Sequence, residues 1–315
     1  MPSIGFFYFH ISLKYANACV IIYVYFCAQF RAQSLGGSIM TYWIAVLLGA
    51  VSGLTEYFPI SRSGHLAFMQ NFLKIGDLEE HLLFSFLIQL ALLAAIALTY
   101  LPDLRELFRQ ARRAPGKEAA ARAQKQKATR SRLISFIALG FLFYIPALVF
   151  EEQIRSFAAK PLIVALSFVV TGLLLFFSDR LSHGNKNVRA QTLPDAVFVG
   201  IAQLVSVIPG MSRSGLTISA GLLRGFDQTF AVRYSMLLWL PAGIVSCFIT
   251  LIRAATIGIT WSYVPMYLVG MLVTFVLGAL AIYAVRLIAQ RGRFGNFAFY
   301  CWGAGLLTLM LFLIC

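Results

Sequence analysis

Six apolar stretches, none of which contains a charged residue, constrain this chain more than any other feature of its sequence. A helix needs about 20 predominantly apolar residues to cross the hydrocarbon core of a membrane. The sequence therefore predicts six transmembrane helices. They cover residues 82–101, 133–150, 161–178, 234–252, 263–285 and 297–314.

The composition excludes an ordinary soluble protein. Of the 315 residues, 60% are hydrophobic and 12% are charged, whereas soluble domains have about 45–50% apolar and about 25% charged residues. The net charge of +14 would indicate nucleic acid in a soluble protein. Here it is typical of basic cytoplasmic loops and of contact with anionic membrane lipids, so we expect no nucleic-acid partner. The five cysteines are scattered without CxxC spacing and indicate neither a disulfide framework nor a metal site.

Two further apolar regions, 41–73 and 195–227, are interrupted near their middle by Pro, Gly, Ser and Arg. The tetrapeptide SRSG at 61–64 recurs at 212–215, and a proline closely precedes each copy. This recurrence at both interruptions predicts an internal repeat.

Loop charges indicate how the two repeats are oriented. Loop 102–132 carries ten basic residues against three acids, which places it in the cytoplasm. The basic loop 286–293 then also lies inside only if region 195–227 enters and leaves the membrane on the same face. If region 41–73 does likewise from the opposite face, the second unit is inverted relative to the first.

The predicted fold is therefore an all-α integral membrane protein with six transmembrane helices and two re-entrant helical hairpins in an inverted-topology repeat. Residues 40–315 form a single membrane domain, made of repeat 40–190 and repeat 191–315. Residues 1–39 fit this pattern poorly. They form either an extra helix or an extension upstream of a translation start at Met40; we favour the extension and assign it no role.

The interruptions predict one polar site where the two hairpin tips meet. Non-helical backbone at membrane depth must be buried in protein or line a polar cavity, and ionisable groups there are usually functional. Glu56 is the one acid within an apolar run, and it is a candidate ligand for a divalent cation such as Mg²⁺ or Ca²⁺. Arg62 and Arg213 suit phosphate oxygens, and His65 suits a general acid or base.

Serine and glycine at the breaks extend this site. A turn leading into a helix offers backbone N–H groups and a positive dipole end to an anion, and a serine hydroxyl can donate hydrogen bonds or act as a nucleophile. Because the site lies within membrane segments, we expect the phosphate to arrive on a lipid. The further candidates are Ser61, Ser63, Ser212, Ser214 and Gly215.

Simpler structural interpretations of the same residues remain open. Arg62 and Arg213 could extend from helix ends to lipid headgroups. Glu56 could form an internal ion pair with one of those arginines, which would not exclude a function. Serines commonly bridge packed membrane helices.

Four segments resemble the undecaprenyl-pyrophosphate phosphatases, also called bacitracin-resistance proteins. The two interruption motifs are SGLTEYFPISRSGH at 52–65 and IAQLVSVIPGMSRSGLTIS at 201–219, and the helices after them are FSFLIQLALLAA at 84–95 and YSMLLWLPAG at 234–243. The resemblance covers residues 40–315. It implies a multi-pass enzyme of the bacterial inner membrane that removes the terminal phosphate of undecaprenyl pyrophosphate, and so recycles the carrier lipid for cell-wall synthesis. It also implies a divalent cation.

The resemblance assigns roles to individual residues. Glu56 matches a proposed metal ligand, His65 a proposed acid/base, and Arg213 a phosphate-binding arginine. Ser61 and Ser63 match hydroxyl positions of the first motif, and Ser212 and Ser214 flank the arginine of the second.

Two positions depart from the family pattern. Ser52 stands where the family usually has Glu or Gln, and Arg62 stands where it usually has a serine often proposed as the nucleophile. A basic side chain at 62 can add phosphate affinity but cannot attack as a serine would.

The leading prediction is hydrolysis of a polyprenyl diphosphate lipid. The alternatives are a lipid-phosphate transporter or flippase, for which inverted repeats with broken helices are a known design, and a catalytically weakened paralogue. The sequence leaves a homodimer open.

Overall fold

The computed structural model describes residues 40–73, 81–108, 117–182, 184–291 and 294–314, so the predicted extension 1–39 lies outside the described residues. Regular structure in these ranges is helical apart from an isolated β-bridge. Their α-helices are, in chain order, α1 (Tyr42–Tyr57), α2 (Arg62–Phe68), α3 (Leu82–Thr99), α4 (Leu101–Phe108), α5 (Lys117–Leu142), α6 (Ile145–Val149), α7 (Glu151–Ser156), α8 (Pro161–Leu181), α9 (Leu193–Val205), α10 (Arg213–Leu223), α11 (Gln228–Ile257), α12 (Val264–Arg291) and α13 (Asn296–Ile314). Short turns of other helix types extend α2 over Met69–Leu73 and α7 over Phe157–Ala159, and precede α12 at Trp261–Tyr263.

The prediction of six transmembrane helices is confirmed. Within the described ranges, six helical segments are long and apolar enough to cross a membrane, at Leu82–Thr99, Ala123–Val149, Pro161–Leu181, Gln228–Thr256, Trp261–Arg291 and Asn296–Ile314. Their outward faces are apolar. On α12, for example, Leu268, Leu272, Val276 and Leu280 are all exposed and share one face at helical spacing. Such a face suits hydrocarbon rather than water.

Small residues bring the longest helices together. Helix α12 packs against α1 and α3. A Cβ atom on Gly49 would lie only 2.5 Å from the carbonyl oxygen of Gly270, so glycine permits this backbone contact. The Thr274 hydroxyl donates to the Gly49 carbonyl at 3.1 Å across the same interface. Close approach at small residues with a bridging hydroxyl is a common way for membrane helices to associate.

The two sequence interruptions are breaks between helices, and they contact each other. The first break, 58–61, joins α1 to α2, and the second break, 206–212, joins α9 to α10. The Ser61 hydroxyl donates to the Met211 carbonyl, and the Ser214 hydroxyl donates to the Phe58 carbonyl, both at 3.1 Å. These reciprocal bonds satisfy backbone carbonyls that neither helix can use, as buried non-helical backbone requires.

The N-terminal end of α9 and the C-terminal end of α10 also meet. Lys186, which precedes α9, forms a parallel β-bridge with Phe226, which follows α10. The fully buried Asp195 accepts from Arg224 at 2.7 Å and lies 3.4 Å from the Lys186 ammonium. The chain therefore returns, after the second break, to the place from which it entered α9.

Candidate functional site

Each copy of SRSG forms the start of a helix in the same way. The Ser61 side chain accepts from the Gly64 N–H, and the Ser212 side chain accepts from the Gly215 N–H, both at 3.1 Å. Serine is a favoured N-cap because its oxygen satisfies a backbone donor of the first turn. Ser61 has φ 69°, a left-handed conformation that is uncommon for residues other than glycine.

This capping fixes the arginine of each copy as the first residue of its helix. Arg62 begins α2 and Arg213 begins α10, and both reach the same carboxylate. Arg213 Nη2 donates to Glu56 Oε1 at 3.0 Å, and Arg62 Nη1 lies 3.5 Å from Glu56 Oε2. The ion pair that the sequence left open for Glu56 thus involves both arginines rather than one.

The cluster of Glu56, Arg62 and Arg213 is largely shielded from solvent. The three side chains are 10%, 16% and 14% exposed, respectively. The Arg213 guanidinium also lies 5.2 Å from the ring centroid of Trp239, in cation–π contact. Two guanidiniums against one carboxylate leave a positive charge in a low-dielectric setting, where electrostatic interactions are strong.

The arginines retain donors for a ligand. The Nε atoms of Arg62 and Arg213, and Nη1 of Arg213, are buried and have no hydrogen-bond partner. Leaving such donors unpaired costs about 1–3 kcal/mol each. An anion with several oxygens would remove that cost.

The serines of the two copies occupy different environments. Ser61, Ser212 and Ser214 are each no more than 2% exposed, and their hydroxyls serve the caps and the bonds between the breaks. Ser63 is exposed and lines the cavity, with its Oγ 3.3 Å from the Ser61 Oγ. Among these four, Ser63 is therefore the hydroxyl most accessible to a ligand.

His65 does not line the cavity. Its Nδ1 is 2.7 Å from the Ser61 carbonyl oxygen, and its Nε2 is 2.7 Å from the Tyr300 hydroxyl. Because a carbonyl only accepts, Nδ1–H is the donor and Nε2 of the neutral ring accepts from Tyr300. In this geometry His65 holds the first break against α13, and its predicted acid/base role stays a prediction.

A cavity of about 440 Å³ lies between the two breaks and the neighbouring helices. Its lining includes Glu56, Arg62, Ser63 and Arg213, together with residues that the sequence did not single out. The additional polar lining residues include Tyr144, Glu151, Arg155, Ser246, Thr250 and Arg253. Gln89, which accepts from the Thr250 hydroxyl at 3.4 Å, lines it too.

A second arginine pair lines the cavity in a more exposed position. Glu151 pairs with Arg155 along α7 and lies 3.3 Å from Arg253 of α11. These side chains are between 35% and 42% exposed. Burial lowers the pKa of the Arg155 guanidinium, and the positive charge of Arg253 lowers it further. This second cluster repeats the ratio of two guanidiniums to one carboxylate.

The residues present do not fit the divalent cation expected from the sequence. Water and substrate phosphate can fill several positions around Mg²⁺ or Ca²⁺, but the protein has to supply at least one or two carboxylates, and both carboxylate oxygens of Glu56 already contact a guanidinium. Ser52, one helical turn earlier, offers only a buried hydroxyl without a hydrogen-bond partner. No cluster of three or more His, Cys, Asp or Glu side chains suited to a metal occurs in the described part of the chain.

The fold and the cavity define a class: multi-pass helical membrane proteins whose polar, arginine-rich site lies between two helix breaks. The particular family follows from comparison with known proteins. The family described as "Bacitracin resistance protein BacA" matches residues 45–307. The chain belongs to this family, as its two interruption motifs predict.

Curated relatives match most of the chain. A protein of Desulforapulum autotrophicum named undecaprenyl-diphosphatase is 33% identical over 275 residues, which cover 86% of this chain and 98% of the relative. Proteins of the same name from Treponema denticola and Syntrophotalea carbinolica are each 34% identical. Those two alignments cover 85% and 84% of this chain, and 96% and 97% of the relatives.

Proposed function

We propose that this chain is an undecaprenyl-diphosphatase: it hydrolyses undecaprenyl diphosphate, or a closely related polyprenyl diphosphate, to the monophosphate and inorganic phosphate. Membership in the BacA family and the name shared by its relatives support this assignment. The reaction would recycle the carrier lipid used in cell-wall synthesis. We place the protein in the bacterial inner membrane, where this lipid carrier is used.

The observation that carries the proposal is the shared carboxylate at the junction of the two breaks. Glu56 orients the guanidiniums of Arg62 and Arg213 beside a cavity. A guanidinium presents a planar set of donors that matches phosphate oxygens in shape and charge. An apolar helical exterior around this polar site suits a substrate with a charged head and a hydrocarbon tail.

The residues would share the work as follows. Arg62 and Arg213 bind the terminal phosphate and stabilise the charge that develops on its oxygens. Glu56 holds both arginines in position, and Ser63 donates its hydroxyl to the phosphate. The second cluster, with Arg155 and Arg253, attracts the anionic headgroup toward the cavity.

We also infer that the two breaks belong to re-entrant hairpins in an inverted repeat. Helix α9 has 13 residues and α10 has 11, and at 1.5 Å per residue neither reaches the roughly 30 Å of a hydrocarbon core. The bridge between Lys186 and Phe226 joins the start of α9 to the end of α10, as expected of a hairpin that returns to its starting face.

Helix packing supports the repeat independently of the SRSG motif. If α1, α2, α3, α5 and α8 correspond in order to α9 through α13, exchanging the two halves converts several packed pairs into other packed pairs, whereas α8 with α10 and α10 with α11 have no closely packed counterpart among the described residues. Helix α1 packs on α12 while α9 packs on α5, and α3 packs on α12 while α11 packs on α5. The pairs α3 with α11 and α8 with α13 convert into themselves, and both are packed.

The purified protein in detergent should release inorganic phosphate from undecaprenyl diphosphate, as measured by colorimetric phosphate assay over time. Release at many turnovers per molecule is the expected result. Tight binding without release would instead indicate the lipid-phosphate transporter or flippase. Lipid movement between leaflets of a reconstituted vesicle, without phosphate release, would establish that alternative.

A further inference from the structure

The arginines of the two SRSG copies occupy equivalent places. Each is the first residue of a helix that a serine caps, and each contacts one oxygen of Glu56. The two helix breaks therefore direct two positive groups to one carboxylate. Arg62 is the member of this pair that stands where the family resemblance implies a serine.

Glu56 is poorly placed to bind a metal ion as well. A Mg²⁺ or Ca²⁺ ion at this carboxylate would compete with the two guanidiniums for its oxygens. It would then lie beside both positive charges, and at a few ångströms this repulsion is strong inside a protein. The fully buried hydroxyl of Ser52 supplies no compensating negative charge.

The arginine pair offers what a divalent cation would offer to a diphosphate. Its two positive charges equal the charge of one Mg²⁺ ion, and its unpartnered donors are the Nε atoms of Arg62 and Arg213 and Nη1 of Arg213. Charge-assisted hydrogen bonds from guanidinium to phosphate are among the stronger interactions in proteins. Unlike a metal ion, these donors belong to the chain, and contact with Glu56 holds each guanidinium in place.

We propose that Arg62 and Arg213 together replace the divalent cation in this chain, so that the site binds and hydrolyses a diphosphate without metal. The inference rests on the proposed function. In the reaction, the oxygen of water bonds to the terminal phosphorus, and the bond from that phosphorus to the bridging oxygen breaks. The electron pair of the broken bond stays on the lipid monophosphate, and the protons of water are left on the released phosphate and the solvent.

The test compares metal-free and metal-loaded protein with two readouts. Binding of inorganic diphosphate is followed by tryptophan fluorescence, since Trp239 contacts Arg213, and phosphate release from undecaprenyl diphosphate is followed separately. Both are measured in excess EDTA and in Mg²⁺, for wild type and for Arg62→Ser, Arg62→Lys and Arg189→Ser. Arg189 is exposed and lies outside the cavity, so its variant removes the same charge elsewhere.

For wild type and Arg189→Ser, the affinity for inorganic diphosphate and the rate of phosphate release should each differ by no more than about threefold between EDTA and Mg²⁺. Arg62→Ser should weaken diphosphate binding in EDTA by about 10-fold or more, since hydrogen bonds to charged groups contribute roughly 1.5–3 kcal/mol. Arg62→Lys keeps the positive charge, so its affinity for diphosphate in EDTA should lie between those of wild type and Arg62→Ser. Thermal unfolding of each variant separates a loss of binding from a loss of folding.

Two results would overturn the inference and leave the proposed function standing. One is wild-type release in Mg²⁺ that EDTA abolishes. The other is a folded Arg62→Ser protein whose affinity for diphosphate in EDTA equals that of wild type. Absence of both binding and release from wild type under every condition would overturn the proposed function, and the inference with it.

Discussion

Glu56 and Arg213 are 157 positions apart in the chain, and in the fold Glu56 lies within hydrogen-bond distance of both Arg213 and Arg62. Their meeting could be predicted because charged groups in apolar segments need partners, and few are available there. The position of His65 could not be predicted in the same way. Its motif gives its place in the chain, but the left-handed turn at Ser61 and the packing of α2 on α8 determine where the ring points.

Two serines of the first SRSG copy should respond differently to loss of the hydroxyl. Ser63→Ala removes a cavity hydroxyl and should lower kcat for phosphate release by 10-fold or more without changing the melting temperature. Ser61→Ala removes the cap of α2 and the bond to Met211, so it should destabilise the protein by roughly 1–3 kcal/mol, because capping contributes about 1 kcal/mol and the orphaned carbonyl adds a desolvation cost. Kinetics and thermal unfolding of both purified variants check this. A stable, fully active Ser63→Ala protein would remove Ser63 from the site.

The helices themselves were predictable because apolar length is a strong signal. All six long segments occur, although the helical segment at Ala123–Val149 begins well before the predicted apolar stretch and includes part of the basic loop. The second arginine pair was not predicted. Arg155 and Arg253 lie on α7 and α11, in what the sequence presents as a connecting loop and the end of a span, and only packing brings both to Glu151.

The re-entrant path of α9 and α10 can be tested by labelling. In a cysteine-free background, single cysteines at Arg189 and Thr229 lie before and after the hairpin, and both positions are exposed. A membrane-impermeant maleimide should label both from the cytoplasmic face only, because the hairpin returns to that face. A cysteine at the exposed Gln153 is the matched control and should be labelled from the outer face. Opposite accessibility of positions 189 and 229 would show that the region crosses the membrane.

In the molecule as a whole, two helix breaks from separate halves of the chain build the proposed anion site. The halves are linked at that site by reciprocal serine bonds, and a Cβ on Gly64 would lie only 2.9 Å from the Cα of Gly210. The sequence predicted this convergence from the recurrence of SRSG. It could not predict the cavity's shape, which depends on side chains such as Tyr144 and Trp239 from helices outside both motifs.

The measurement that tests this most directly is kcat/KM for phosphate release from undecaprenyl diphosphate by wild type, Arg213→Ala and the surface control Arg189→Ala. If the second break supplies half of the site, Arg213→Ala should reduce kcat/KM by about 100-fold or more, equivalent to about 2.7 kcal/mol at 1.36 kcal/mol per tenfold, while Arg189→Ala stays near wild type. A folded Arg213→Ala protein with kcat/KM within threefold of wild type would show that the second break does not supply part of the site.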